Sequence, residues 1–304
     1  MKNIIYYVAV VVSLFFVSCS EEKLGESQID TTPPQLNTTD VWIRENYTTP
    51  FNVEVKYKWD KSELDNTRKL TPPYQDRVIP FLDNMKKIWI DPYVKNSGIN
   101  FMKQHIPKLM VMVGSHNYLD NGGIVLGQAE GGRKITLFDI NYITFEFDGL
   151  SEWEKSKIVD NIIRAYRTMH HEFGHILTQT VAYPVEYKKI TPGYVSNWII
   201  YSDSDAKRLG FVTAYAMLNP DEDFSEMLSY MLTMGNEKWN KYIDDIVVYD
   251  ENWDTDVKAT ATAKSSIRQK EKIIADYMLQ AWKINLYQLQ DDIEKAMIEM
   301  KILE

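Results

Sequence analysis

The sequence predicts an α+β fold in which a small mixed sheet comes early in the chain and helices fill the later part. Residues 51–57 (FNVEVKY) alternate apolar and polar side chains, while residues 108–113 (KLMVMV) and 135–140 (ITLFDI) are short apolar runs; both patterns are typical of strands. After residue 150 the apolar residues recur at helical spacing instead. The chain has 304 residues, of which 44% are apolar, and we predict one domain over residues 51–304.

The first 18 residues are typical of a lipoprotein signal peptide. Lys2 precedes an apolar run, Ile4 to Phe16, that is too short for a comfortable membrane span. Small residues before Cys19 resemble the lipobox of bacterial lipoproteins. Because Cys19 is the one cysteine in the sequence, it cannot form an internal disulfide. We expect cleavage after residue 18 and a lipid anchor at Cys19; ordinary secretion with an incidental cysteine is the alternative.

Residues 19–50 are rich in threonine, proline, asparagine and acidic residues, and we predict a tether there. Residues 20–22 (SEE) resemble the surface-export signal of Bacteroidota lipoproteins. This resemblance implies an outer-membrane lipoprotein on the cell surface, with the periplasmic face as the alternative.

Four segments have the spacing of helices: residues 76–94, 151–179, 221–234 and 265–300, the last as one or two amphipathic helices. The longest begins at a capping box formed by Ser151 and Glu154. Gly235 ends the third helix, and residues 181–220 before it contain three prolines and little periodicity.

The longest helix contains the pattern H-E-x-x-H, formed by His171, Glu172 and His175. Residues four apart lie on the same helix face, so the two imidazoles can bind one metal ion. A catalytic zinc site takes about three protein ligands and leaves a position for water. Glu172 would act as the general base toward that water. The alternative is a helix whose histidines have other partners; we interpret the neighbouring His170, which points elsewhere, as a packing or supporting residue.

A third ligand has to come from another segment. Glu222 and Glu226 lie four residues apart on the next helix and therefore face the same way. An acidic helix start is also favoured by the helix dipole, which explains Glu222 easily and Glu226 less well. His105 and His116 lie far upstream and are poor candidates.

The combination of HEFGH at 171–175 and EDFSE at 222–226 resembles the substrate import-associated zinc metallohydrolase lipoproteins of Bacteroidota, a putative zinc-binding metallopeptidase family of gluzincin type. It is similar, more distantly, to the catalytic domain of anthrax lethal factor. The resemblance implies a zincin-like metallopeptidase domain with one Zn²⁺ per chain. It also implies that Glu222 is the third ligand and that Glu226 supports a histidine ligand. Asp223 is expected to support the histidines as well, and Asp223 or Glu226 is the alternative third ligand.

The same resemblance implies a role for Tyr215, seven residues before Glu222. A tyrosine at this offset donates a hydrogen bond to the oxyanion that develops during the reaction. Packing or a loop contact is the alternative. The resemblance further implies a TonB-dependent nutrient-import complex as a partner.

The glycine-rich stretch 122–141 precedes the metal-binding helix. In zincins an edge strand before the active-site helix pairs with extended substrate, so the resemblance implies such a strand here, formed by Lys134, Ile135, Thr136 and Leu137. A plain hairpin with Gly131-Gly132 at its turn is the other interpretation, and the two are compatible.

Together these features predict a zinc-dependent metallopeptidase that acts on peptides or proteins at the cell surface. The net charge of −9 disfavours a nucleic-acid partner, and the sequence lacks a glycine-rich phosphate loop. An accessory binding lipoprotein of the import complex and a zinc hydrolase of non-peptide bonds are the alternatives.

Overall fold

The computed structural model describes residues 35–118, 124, 125, 127–130 and 132–303. The predicted signal peptide, Cys19 and residues 19–34 lie outside the described residues. Residues 37–304 form one compact unit. Within the described part of the chain, no helix is both long enough and apolar enough to cross a membrane.

The domain begins at residue 37 and not at residue 51. Helix α1 (Thr38–Ile43) starts at a capping box formed by Asn37 and Asp40 and continues through a π-helical turn into α2 (Thr49–Phe51). Ile43, Tyr47 and Phe51 recur every four residues and are buried, and the Tyr47 hydroxyl donates to Leu82 O at 2.6 Å. Residues 37–50 therefore belong to the core, although their composition suggests a tether.

The described residues contain six strands: β1 (Glu54–Lys56), β2 (Leu109–Met112), β3 (Asn117–Tyr118), β4 (Ile124–Val125), β5 (Gly127–Glu130) and β6 (Lys134–Leu137). Strands β3 and β4 form a small antiparallel pair. The main sheet has the order β1-β2-β6-β5, in which the first three strands are parallel and β5 is antiparallel to β6.

The predicted edge strand is an interior strand. Strand β6 (Lys134, Ile135, Thr136, Leu137) pairs with β2 on one side and with β5 on the other, so its backbone groups are engaged. The glycine-rich segment folds back on β6 as a hairpin, with Glu130 opposite Lys134, which confirms the predicted hairpin. Among the described strands, β5 is the edge of the sheet next to β6, and β1 is the opposite edge.

The remaining helices are α3 (Gln75–Met85), α4 (Asp91–Ser97), α5 (Ile99–His105), α6 (Glu152–Thr180), α7 (Tyr187–Ile190), α8 (Asp203–Arg208), α9 (Pro220–Met234), α10 (Asn236–Asp244), α11 (Val257–Trp282) and α12 (Leu286–Glu299). The predicted helix 76–94 is divided by a π-helical turn, Lys86–Ile90. The Ser151–Glu154 capping box is confirmed. The predicted C-terminal helix is a pair, α11 and α12, and it begins earlier than residue 265.

Helices α6 and α9 pack against each other at the centre of the domain. Gly174 allows this approach, because a Cβ atom at this position would lie 3.0 Å from Ser225 Oγ and 3.3 Å from Ser225 Cα. The close contact places the acidic start of α9 beside the histidines of α6.

Candidate metal centre and active-site cleft

Helix α6 presents two histidines to an open cleft. The opposite face of this helix is fixed by Phe173, which packs edge-on against Trp89 and Tyr93 at centroid distances of 5.6 and 4.9 Å. His171 is buried and His175 is half-buried, and their Nε2 atoms lie 3.1 Å apart. The helical spacing therefore brings both imidazoles to one point, as the sequence predicts.

Helix α9 brings a carboxylate to the same point. The Asn219 side chain accepts hydrogen bonds from the backbone N–H groups of Asp221 and Glu222 and starts the helix there. Glu222 Oε2 lies 3.0 Å from His171 Nε2 and 3.1 Å from His175 Nε2. Burial raises the pKa of Glu222, but the hydrogen bonds with the two histidines outweigh this effect and lower it below its ordinary value.

His171 has a second carboxylate partner on its other nitrogen. Its Nδ1 lies 2.9 Å from Glu226 Oε1, and this hydrogen bond assigns the proton of the neutral ring to Nδ1. His171 Nε2 consequently directs a lone pair toward the point it shares with His175 and Glu222. Burial lowers the pKa of His171, but hydrogen bonds to Glu222 and Glu226 raise it to about 10. The surroundings of His171 therefore strongly favour a positive charge.

The donor set at this point fits zinc. Within the described residues, His171, His175 and Glu222 are the one group of three such side chains whose ligand atoms lie within 4.8 Å of one another. Two imidazole nitrogens and one carboxylate oxygen are the ligands of many catalytic zinc sites. Tetrahedral bonds of about 2.0–2.1 Å would separate the ligand atoms by roughly 3.3 Å, close to the separations observed.

Glu226 is in turn held by a threonine. Its Oε1 accepts from His171, while its Oε2 accepts from the Thr213 hydroxyl at 2.6 Å. Glu226 thus holds the His171 ring through a hydrogen bond, while its support of a metal ligand stays a prediction. The Thr213 contact could not be expected from the sequence, because this residue lies in an irregular segment thirteen positions upstream.

Asp223 is neither a ligand nor a support of the histidines, which corrects two of the sequence predictions. One position beyond Glu222, it is rotated by about 100° around the helix and points into the core. There it forms an ion pair with Lys270 at 2.7 Å, with both side chains fully buried, and accepts from the Tyr194 hydroxyl at 3.0 Å. Lys270 also donates to Gly210 O at 3.0 Å.

Two further predicted residues line the cleft beside the metal-binding point. Glu172 is mostly enclosed, and burial raises its pKa above the ordinary carboxylate value, although His171 and His175 oppose this rise. The Tyr215 ring lies 5.9 Å from the His171 ring and packs edge-on against Trp198 at 5.0 Å. Burial and the nearby Glu222 carboxylate raise the pKa of Tyr215, so its hydroxyl keeps its proton.

The cleft has a volume of about 720 Å³. Gly127 and Gln128 of β5 form part of one wall, and Tyr183, Lys188 and Asp221 lie on the walls as well. The Tyr183 hydroxyl donates to Asp221, which keeps this carboxylate away from the histidines. The cleft is therefore bounded by the sheet edge and by both helices that carry the metal-binding residues.

The other histidines have no part in the site. His170 is fully buried against the Tyr93 ring, at 5.8 Å, which confirms it as a packing residue, and burial lowers its pKa to about 3. His105 packs between Phe101 and Trp282, and His116 pairs with Asp139 at 2.6 Å.

The chain is similar to known proteins in both sequence and structure. A family model described as a putative zinc-binding metallo-peptidase matches residues 32–287. The crystal structure of a putative zinc-binding metallo-peptidase from Bacteroides caccae is similar with a TM-score of 0.70, at 30% sequence identity, over 88% of this chain and 94% of that chain. Among proteins with curated descriptions, the chain has no significant match.

Proposed function

The chain belongs to the family of putative zinc-binding metallo-peptidases, and we propose that it hydrolyses peptide bonds with one zinc ion held by His171, His175 and Glu222. One observation carries the proposal: three lone-pair atoms converge within 3.0–3.1 Å of one another beside Glu172, at the wall of an open cleft. A structural zinc site usually has four protein ligands and no such neighbouring base.

The bound ion would supply Lewis acidity, which makes a water molecule more acidic and polarises a carbonyl oxygen. Glu172 accepts the proton of the attacking water as the C–O bond forms. As the C–N bond breaks, Glu172 returns that proton to the leaving nitrogen. Its enclosed position favours this exchange, because burial raises its pKa above the ordinary carboxylate value.

Tyr215 stabilises the negative charge that develops on the carbonyl oxygen. Its hydroxyl remains protonated at neutral pH, since burial raises its pKa, and it can donate a hydrogen bond there. Trp198 fixes the ring from the side. Glu226 keeps the proton of His171 on Nδ1, so that Nε2 stays free to bind the metal.

Substrate binding is assigned to β5 instead of β6. Strand β5 (Gly127–Glu130) is the last strand of the described sheet, and two of its residues line the cleft. An extended peptide could add to this edge through main-chain hydrogen bonds. Such pairing selects for an extended backbone and not for particular side chains.

The proposed location is the outer face of the outer membrane, with a lipid anchor at Cys19 and a TonB-dependent import complex as the partner. The signal-like residues 1–18, the acidic residues after Cys19 and the family resemblance support this location. Cys19→Ser should abolish labelling by a palmitate analogue, and externally added protease should digest the wild-type protein on intact cells.

Peptidase activity is tested by incubating the zinc-loaded mature chain with a complex peptide library and identifying new termini by mass spectrometry. Glu172→Gln, loaded with the same amount of zinc, is the control. We expect cleavage by the wild type and a loss of at least about 100-fold in the variant. Folded, zinc-loaded wild-type protein that leaves every peptide intact would contradict the proposal and favour an accessory binding role.

A further inference from the structure

Thr213 connects the two parts of the site that lie on different segments of the chain. We infer that Thr213 is a positioning residue: its hydroxyl holds the Glu226 carboxylate behind His171 and also the turn that carries Tyr215. The catalytic consequence of this inference rests on the proposed function, whereas its effect on zinc binding can be measured without any peptidase activity.

The Thr213 hydroxyl uses both its proton and its oxygen. It donates to Glu226 Oε2 at 2.6 Å, and its oxygen accepts the backbone N–H of Ala216 at 3.1 Å. Glu226 Oε1 meanwhile accepts from His171 Nδ1 at 2.9 Å. The carboxylate cannot rotate without breaking one of these bonds, so the orientation of His171 depends on Thr213.

The hydrogen bond from the Ala216 N–H to the Thr213 hydroxyl links Thr213 to the turn that carries Tyr215. Tyr215–Met217 is a single 3₁₀ turn, and Ala216 is its central residue. The Ala216 N–H bound to Thr213 therefore fixes the turn next to the residue that bears the phenol. Loss of the hydroxyl would leave both Ala216 N and Glu226 Oε2 without this partner in a buried place.

The segment around Thr213 is itself anchored, which makes its hydroxyl a fixed reference point. Gly210 O accepts from Lys270 at 3.0 Å, Val212 O accepts from the Tyr242 hydroxyl, and the Ala214 N–H donates to Asp203 Oδ1 at 2.9 Å. Thr213 is only 4% exposed, so water cannot easily take over its hydrogen bonds.

The test measures zinc affinity of the mature chain by competition with a chromophoric chelator. Thr213→Val and Thr213→Ala both remove the hydroxyl, and each is expected to weaken zinc binding by about 10–100-fold, as is typical when a group behind a ligand is lost. Thr213→Ser retains the hydroxyl and is expected to stay within about threefold of the wild type.

A matched control is Thr233→Val, since Thr233 is equally buried, lies on α9 and donates to Ser229 O at 2.8 Å. Zinc affinity of this variant should stay within about threefold of the wild type. In a Glu226→Gln background, Thr213→Val should weaken zinc binding by less than about a further threefold, because the hydroxyl acts through that carboxylate.

Wild-type affinity in both hydroxyl-free variants would overturn the inference, and so would a Thr213→Ser variant as weak as Thr213→Val. If the wild type cleaves peptides, Thr213→Val at saturating zinc should lower kcat more than it raises KM, because the turn bearing Tyr215 is loosened. A wild type that binds zinc but cleaves no peptide would contradict the proposed function alone and leave the affinity test intact.

Discussion

The two helices that form the proposed metal centre differ in how their residues are positioned. On α6, His171 and His175 are brought together by helix geometry within a single turn, with an Nε2 separation of 3.1 Å. On α9, Glu222 reaches the same point only because the helix is held by contacts distant in sequence. These contacts are the close approach at Gly174 and the buried pair of Asp223 with Lys270.

The positions of the two histidines therefore follow from local helix geometry, whereas the position of Glu222 depends on tertiary contacts. Substitutions that move α9 should therefore disturb zinc binding even when every ligand is intact. Substitutions on the surface of α6 away from the cleft should not.

The largest effect is expected when the buried anchor of α9 is broken. Lys270→Met leaves the fully buried Asp223 without its counter-ion, which should cost about 3–5 kcal/mol of unfolding free energy. Urea unfolding of the zinc-free protein measures this cost. The double variant Lys270→Met/Asp223→Asn should recover part of the loss. A single variant within about 1 kcal/mol of the wild type would show that the pair does not anchor the helix.

The next effect concerns the ligand that α9 supplies. Glu222→Ala should weaken zinc binding by more than about 100-fold, because the loss of a ligand exceeds the loss of a group behind one. Asp221→Ala is the matched control: it removes the neighbouring cleft carboxylate, which contacts Tyr183 and not the histidines. Chelator competition should find this control within about threefold of the wild type. Equal losses in the two variants would mean that only the charge of the cleft matters.

A smaller effect is expected where the two helices touch. Gly174→Val places branched carbons against Ser225, where even a Cβ atom has a contact of 3.0 Å, and overpacking typically costs about 1–3 kcal/mol. Zinc affinity should fall as well, since α9 must move away from α6. Gly193→Ala serves as the control, because a Cβ atom there meets nothing within 4 Å. Unchanged zinc affinity in Gly174→Val would argue that the site tolerates movement of α9.

Over a single pH unit, the smallest effect is a dependence of zinc-free stability on pH, with a slope of at most about 1.4 kcal/mol per pH unit. The carboxylates of α9 raise the pKa of His171 from 6.5 in the unfolded chain to about 10 in the folded protein. Its contribution to stability is therefore fully present below pH 6.5 and is lost as the pH rises through about 10. Urea unfolding with chelator present, compared with His171→Gln, should show this loss in the wild type only. Parallel pH profiles of stability for the wild type and His171→Gln would contradict this prediction.

The features of α6 are predicted well from the sequence. The capping box at Ser151 and Glu154, the length of α6 and the common direction of His171 and His175 all follow from spacing along one helix. The α+β class and the places of three sheet strands follow from apolar patterning in the same way.

The remaining features depend on tertiary contacts that no local pattern contains. Strand order makes β5 an edge strand and β6 an interior strand, although β6 is the more regular segment in sequence. Asp223 looks like a ligand candidate until its rotation toward Lys270 is known. Thr213 lies in an irregular segment, and only the packed structure brings it to Glu226.

The most direct test of the central claim is a crystal structure of the zinc-loaded protein with data collected at the zinc absorption edge. The account predicts one anomalous peak per chain, within about 2.0–2.2 Å of His171 Nε2, His175 Nε2 and a carboxylate oxygen of Glu222. A peak bound by Glu226 or Asp223 in place of Glu222, or one outside the cleft, would contradict it.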